Sequence, residues 1–186
     1  MYVPEAAMRH HPVGRRLRLA LVAALTSALA ACASGPDRGP SPAPTGPPDA
    51  KTAMVCQNEA QEDIEEALGL PTSQPPTSTW QDRVYTCTYR YPGGVMLVSV
   101  KELPDAGAAT KYFDEQQAAA TSPVPFPDMG DAAFAVNNVA TYVRKDRFVL
   151  KVDVSGLPEV LGEKKTPRNH VGIAVSSVIL GCWVGD

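Results

Sequence analysis

The chain has 186 residues, 20% of them charged, with a net charge of −3 and three histidines. That length suits one domain with a hydrophobic core of its own. An acidic balance with no basic stripe argues against nucleic acid, which needs Lys and Arg to neutralise phosphates, and against peripheral adhesion to anionic lipid heads.

The first segment carries Arg9, Arg15, Arg16 and Arg18, then an uncharged apolar run over residues 19–28, then Leu29-Ala30-Ala31-Cys32. A positive start, an apolar run and small residues at a cleavage site make a secretory signal, so residues 1–31 read as a cleaved signal peptide. Its last four residues resemble the lipobox of bacterial lipoproteins. The resemblance implies that Cys32 receives a diacylglyceryl lipid, becomes the new N-terminus and holds the protein on the extracytoplasmic face of the cell membrane. Two acyl chains anchor stably where one does not, and the uncharged stretch is shorter than the ~20 residues a membrane-spanning helix needs. Loss of four arginines and Glu5 with the signal takes the net charge from −3 to −6.

Residues 32–50 form the lipidated cysteine and a tether, with prolines at positions 36, 40, 42, 44, 47 and 48 and no apolar periodicity. Such a chain extends at ~3.1 Å per residue, a reach on the order of 50 Å, which sets the following domain within a cell-wall layer. Residues 51–186 are that single domain.

In the domain, Asn58 and Gln61 suggest a capping box that opens a helix with Ala60, Ile64, Ala67 and Leu68 on one face and Glu62, Asp63, Glu65 and Glu66 toward water, ended by Gly69-Leu70-Pro71. Pro71 to Trp80 reads as a proline-rich loop. Residues 83–91 and 95–101 read as a hairpin around Pro92-Gly93-Gly94, with Tyr85, Cys87, Tyr89 and Tyr91 on one face. A second helix follows Pro104-Asp105 and turns Ala109, Tyr112 and Phe113 inward. After a loop with Pro123, Pro125 and Pro127 come three strands over residues 131–136, 140–144 and 147–154, joined at Asn137-Asn138 and Lys145-Asp146. Thr166 and Pro167 suit the start of a last helix striped by Val171, Ala174, Val175, Val178, Ile179, Cys182 and Trp183. The expected fold is α+β: an antiparallel sheet of about five strands with three helices packed on its apolar side, in the order αββαβββα.

With Cys32 lipidated, Cys56, Cys87 and Cys182 allow three pairings in an oxidising compartment. Cys56 before the first helix and Cys87 on the neighbouring strand are the favoured disulfide. Cys182, on an apolar stripe, then remains a free thiol behaving as a small hydrophobe.

No cofactor, metal site or catalytic residue is expected. His170 is the one histidine left after the signal, too few for a usual zinc site, and there is neither a nucleophile elbow nor a phosphate-cradling loop. The acids at 62–66 and the charged turn Arg144-Lys145-Asp146-Arg147 read as solvated surfaces, the turn with an anion site as its alternative. Trp80 and Phe126, aromatics on proline-stiffened loops, are the candidate recognition residues, set against a simple return of both rings to the core.

Cys56 before a helix that ends Ala67-Leu68-Gly69, Cys87 on a strand, and Gly130-Asp131-Ala132-Ala133 after the second helix together resemble a family of small actinobacterial lipoproteins built on a single domain of unknown function. The resemblance implies the lipid, the tether and an α+β domain, and supplies no catalytic residue. Together these features suggest a binding or interaction module for a small ligand, a wall polymer or an envelope protein. The alternatives are a structural accessory subunit of an envelope complex and a hydrolase working through convergent carboxylates.

Overall fold

The computed structural model describes residues 46–162 and 164–184. The signal segment, Cys32 and residues 33–45 of the tether lie outside the described residues.

The described chain opens with a helical turn, α1 (Ala50–Ala53), capped by the Asp49 carboxylate, which accepts the Lys51 N–H at 3.0 Å. A 3₁₀ turn (Met54–Cys56) leads to α2 (Asn58–Leu68). Cys56 is disulfide-bonded to Cys87, as expected, and the buried Tyr89 hydroxyl donates to the Val55 carbonyl at 2.7 Å. These two links fix how the chain approaches α2. The cap falls on Gln57, which bonds through its backbone alone, so the expected Asn58–Gln61 capping box does not form. Gln61 instead donates to Glu65 and Thr72. Ala60, Ile64 and Leu68 are buried one turn apart, and Gly69 ends the helix with φ +62°, a conformation that glycine adopts without strain.

Seven strands form one antiparallel sheet in the order β1-β2-β3-β7-β6-β5-β4. β1 (Gln74–Gln81), β2 (Val84–Tyr91) and β3 (Gly94–Glu102) make one meander; β4 (Val124–Phe126), β5 (Ala132–Val136), β6 (Ala140–Lys145) and β7 (Phe148–Asp153) make a second, and the two join where β3 pairs with β7. The expected α+β class and antiparallel sheet hold, but the sheet has seven strands and the described domain four helices where about five and three are expected, so the order αββαβββα is incomplete; the two added strands of the sheet form where the sequence predicts loops. β1 occupies most of the stretch taken as the Pro71–Trp80 loop, and β4 lies in the supposed loop around Pro125. Both are edge strands, where a missing proline N–H need not break a ladder, and the register of β1 shifts between Gln74 and Thr77, where Pro75 and Pro76 sit. Asp82 and Arg83 both have positive φ and form the β1–β2 turn, so Arg83 is a turn residue and not the start of a strand.

Helices cover both faces of the sheet, not one. The larger core lies between α2, α4 (Arg168–Val184) and the face carrying Cys87, Tyr89, Met96, Val98, Leu150 and Val152. On the opposite face α3 (Ala106–Ala119) packs Ala109 and Phe113 onto Phe134 and Val149. There the Phe113 ring meets Phe134 edge-on at 5.2 Å and Phe134 stacks on Tyr142 at 4.6 Å. The apolar Val149 and Phe134, on the side where neighbours such as Lys151 are polar, mark this second core.

The last helix buries Val171, Val175, Ile179 and Trp183 at successive turns, with Ala174, Val178 and Cys182 half-buried beside them. Thr166 and Pro167 do not open it; they form β9, paired with β8 (Val160–Leu161). α4 crosses β6 so closely that a Cβ on Gly172 would lie 2.6 Å from Thr141 Oγ1. Among the described residues no helix is long and apolar enough to cross a membrane.

Candidate functional site

The strands run between two ends of the domain, and the tether meets one of them. β3 ends there, the β1–β2 and β6–β7 turns lie there, and α4 finishes there. Glu102, at the end of β3, is 1% exposed and pairs with the Arg83 and Arg147 guanidiniums. Its Oε1 accepts the Asp49 N–H at 2.6 Å, while the Asp49 carboxylate pairs with Arg147 at 2.8 Å. Lys51 donates from Nζ to the Trp183 carbonyl at 3.0 Å, and the Trp183 indole donates back to the Lys51 carbonyl at 2.9 Å.

Trp80 belongs to this same end. Its indole donates to the Gly46 carbonyl at 3.2 Å, and its ring lies beside Tyr85 and under the Arg83 guanidinium. A ring taken from sequence as a recognition residue thus rests on the last residues of the tether.

The charged turn is internally satisfied in a similar way. Asp131 accepts the Asp146 N–H at 2.7 Å and pairs with Lys145 and Arg144 at 3.3 and 3.5 Å. Burial disfavours its charge, but these bonds hold its carboxyl below the ordinary value. Gly130 permits the close approach, since it has φ +63° and a Cβ there would lie 2.6 Å from the Arg144 carbonyl. The residues that carry the lipoprotein resemblance, Cys56, Gly69, Cys87, Gly130 and Asp131, are therefore ones that hold the fold together.

At the opposite end, where the β5–β6 turn, Val154 just after β7 and the first turns of α4 meet, a cleft of about 190 Å³ opens. Phe126 on β4 forms one wall, Asn137 and Asn138 of the β5–β6 turn another, and Asn169, His170 and Ile173 of α4 a third. Phe126 is half-buried, packed against the main core from the cleft side. None of the four amide and imidazole side chains hydrogen-bonds another described residue, so their donors and acceptors remain open to a ligand. Of the two aromatics chosen from sequence, Phe126 is in a cleft. His170, read as a surface residue, is indeed exposed and stands at its rim.

Three other concavities differ in chemistry. A 230 Å³ cleft between α3 and the sheet is lined by Lys101, Lys151, Tyr112 and Tyr142, and Lys151 is already paired with Asp153 at 2.9 Å. A shallow groove of 440 Å³ between α2 and α4 contains Asp63, Glu66 and the free Cys182. The thiol lies 3.7 Å from the Asp63 carboxylate, and burial together with that charge pushes it above the ordinary thiol value, away from nucleophilic thiolate. A 300 Å³ cleft beside the end of α3 is lined by Gln116, Thr121, Val136, Val139 and Tyr142, with neighbouring alanines.

The acids of α2 do not converge. Glu62, Asp63 and Glu66 are exposed, whereas Glu65, expected to face water, turns in to accept the Thr72 N–H at 2.9 Å and hydroxyl at 2.7 Å. Burial opposes its charge, yet the bonds from Thr72 and Gln61 keep its carboxyl below the ordinary value. Among the described residues no group of three or more His, Cys, Asp or Glu side chains gathers as a metal site.

No family model matches the chain, and neither the curated proteins nor the solved structures contain a significant match. The resemblance to small actinobacterial lipoproteins therefore rests on the residues quoted for it.

Proposed function

We propose that this chain is a lipid-anchored extracytoplasmic lipoprotein whose domain is a binding module, with its ligand cleft at the end of the fold remote from the tether. The carrying observation is the position of the Phe126 cleft. The tether joins at Asp49 and Gly46, beside the starts of β6–β7 pairing, while the cleft lies across the far ends of β5 and β7. A strand of six residues separates the two ends by about 20 Å. The cleft is thus clear of the described end of the tether.

The anchor supports the same reading. A diacylglyceryl group on Cys32 would retain the protein at the membrane surface. The partners in this proposal are the membrane, through that lipid, and a wall polymer, envelope protein or small ligand, through the cleft. On this reading the domain is a binding module and not an enzyme.

Two measurements test the proposal. Metabolic labelling with an alkyne fatty acid should tag the wild-type chain and not Cys32→Ser, which should leave the membrane fraction. Capture of envelope material on the purified full chain should be lost on Phe126→Ala and retained on Lys151→Ala. Envelope material held equally by all three chains would rule out the cleft as the binding site.

A further inference from the structure

We infer that the Phe126 cleft takes one uncharged sugar ring of a glycan; this deepens, and rests on, the binding-module reading above. The first argument is charge. One residue in five of this chain is charged, yet no Asp, Glu, Lys or Arg lines the cleft. An anionic ligand would find no Lys or Arg there, and a cationic one no carboxylate. The lysine cleft and the α2–α4 groove, by contrast, each present formal charge.

The second argument is hydrogen-bonding type. Asn137, Asn138 and Asn169 each offer an amide donor and an amide acceptor, and His170 adds one of each when neutral. A hydroxyl group is itself both donor and acceptor, so a ring bearing several hydroxyls satisfies such a set in many orientations. A lipid tail or an apolar side chain filling the cleft would offer these groups no bond, a cost of ~1 to 3 kcal/mol where the group is covered, as the half-buried Asn169 would be. The third argument is the apolar wall. Phe126 and Ile173 bring an aromatic ring and an aliphatic side chain to the same cleft, which suits the apolar C–H surface of a sugar.

Size points to one ring. At about 190 Å³ the cleft falls below the ~300 Å³ at which drug-sized ligands begin to be enclosed. The 300 Å³ cleft on the other side of the same β5–β6 hairpin shares Val136 with it, and is likewise free of charged residues, with Gln116, Thr121 and Tyr142 on its wall. Two uncharged, hydroxyl- and amide-lined clefts flanking one hairpin tip provide more than one sugar position, which favours a polymer over a free monosaccharide.

The test uses the full chain with Cys32→Ser, which needs no detergent, titrated calorimetrically with neutral N-acetylglucosamine, galactose and arabinose oligosaccharides. Polygalacturonate and an uncharged Ala/Gly/Ser hexapeptide serve as comparators. At least one neutral oligosaccharide should bind saturably. Phe126→Ala should weaken it about tenfold and Asn169→Ala about fivefold, while Lys151→Ala should leave it unchanged. Phe126 also packs against the core, so Asn169→Ala, with an unaltered melting temperature, is the decisive variant. Absence of binding by every neutral oligosaccharide, or binding indifferent to Asn169→Ala, overturns the inference. Preference for polygalacturonate or for the peptide overturns it too; if that binding is lost in Phe126→Ala, the cleft remains a binding site and only the sugar is wrong. If neither these ligands nor captured envelope material depend on Phe126, both readings fall.

Discussion

The two ends of this domain are made of opposite materials. At the tether end, charged groups are paired with one another: Glu102 with Arg83 and Arg147, Asp49 with Arg147, and Asp131 with Arg144 and Lys145. At the far end, neutral polar groups stand around Phe126 without described partners. A polar group whose bonds are complete within the fold has little left to offer a ligand. The tether end therefore reads as a fastening of residues 46–51 onto the domain, and the far end as the one with capacity for recognition.

If that contrast is right, damage to the two ends should register in different measurements. The largest effect on stability is expected from Glu102→Ala. It would leave Arg83 and Arg147 facing a vacated, nearly dry site, and breaking such a pair costs ~3 to 5 kcal/mol. Urea denaturation that gave a loss below about 1 kcal/mol would show that the cluster fastens little. Next comes Cys56→Ser with Cys87→Ser. The bridge spans 31 residues of sequence, and its removal should cost roughly 3 to 4 kcal/mol by loop-closure entropy. The paired substitution avoids a reactive orphan thiol, and a wild-type melting midpoint in the variant would mean that Tyr89 and the α2 packing hold the turn unaided.

Acid should loosen the tether end by a smaller amount. The folded carboxyl of Asp131 lies below its ordinary value, so its bonds stabilise the native state fully above the unfolded pKa near 4. Stability is lost as the pH falls through the lower, folded value, between about pH 5 and pH 2. Asp131 is a third exposed, so solvent screening keeps its share below ~1 kcal/mol. Glu65 and Asp153 are displaced in the same direction and add to the slope. Asp131→Asn should flatten the stability curve in that window and change little at neutral pH beyond the constant loss of the ion pairs. An unchanged acid slope would move the origin of acid sensitivity elsewhere.

The sequence makes the fastening far more legible than the site. Ala60, Ile64 and Leu68 with Gly69 behind them, the stripe of α4, and the cysteines at positions 56 and 87 are local patterns, and each folds much as its spacing suggests. β1 and β4 were hidden because Pro75, Pro76, Pro123 and Pro125 are loop signals everywhere except at a sheet edge, and edge position is a property of the whole sheet. The second core was hidden because it shows in the strands as little more than Phe134 and Val149 among polar neighbours. Trp80 and Phe126 carried the same sequence signal, an aromatic near prolines. Tertiary placement alone separates them, one onto Gly46 and the other into a cleft. Asn137 and Asn138 read as turn formers and His170 as surface; their meeting depends on α4 crossing β6 closely at Gly172, and no local motif announces that crossing.

The smallest expected effect on stability is also the sharpest test of the contrast. Asn169 and His170 make no side-chain bond to another described residue, and His170 is exposed. Substitutions away from caps, cores and networks usually stay within ~0.5 kcal/mol of wild type. Asn169→Ala and His170→Ala should therefore leave the urea midpoint where it is, separately and together, because neither deletes a bond on which the other depends. A fall of more than about 1 kcal/mol in either variant would mean that these groups are already engaged in holding α4 over the β5–β6 turn. Their bonds would then belong to the fold, as those of Glu102 do, and the far end of the domain would be a second fastening rather than a surface with bonds to spare.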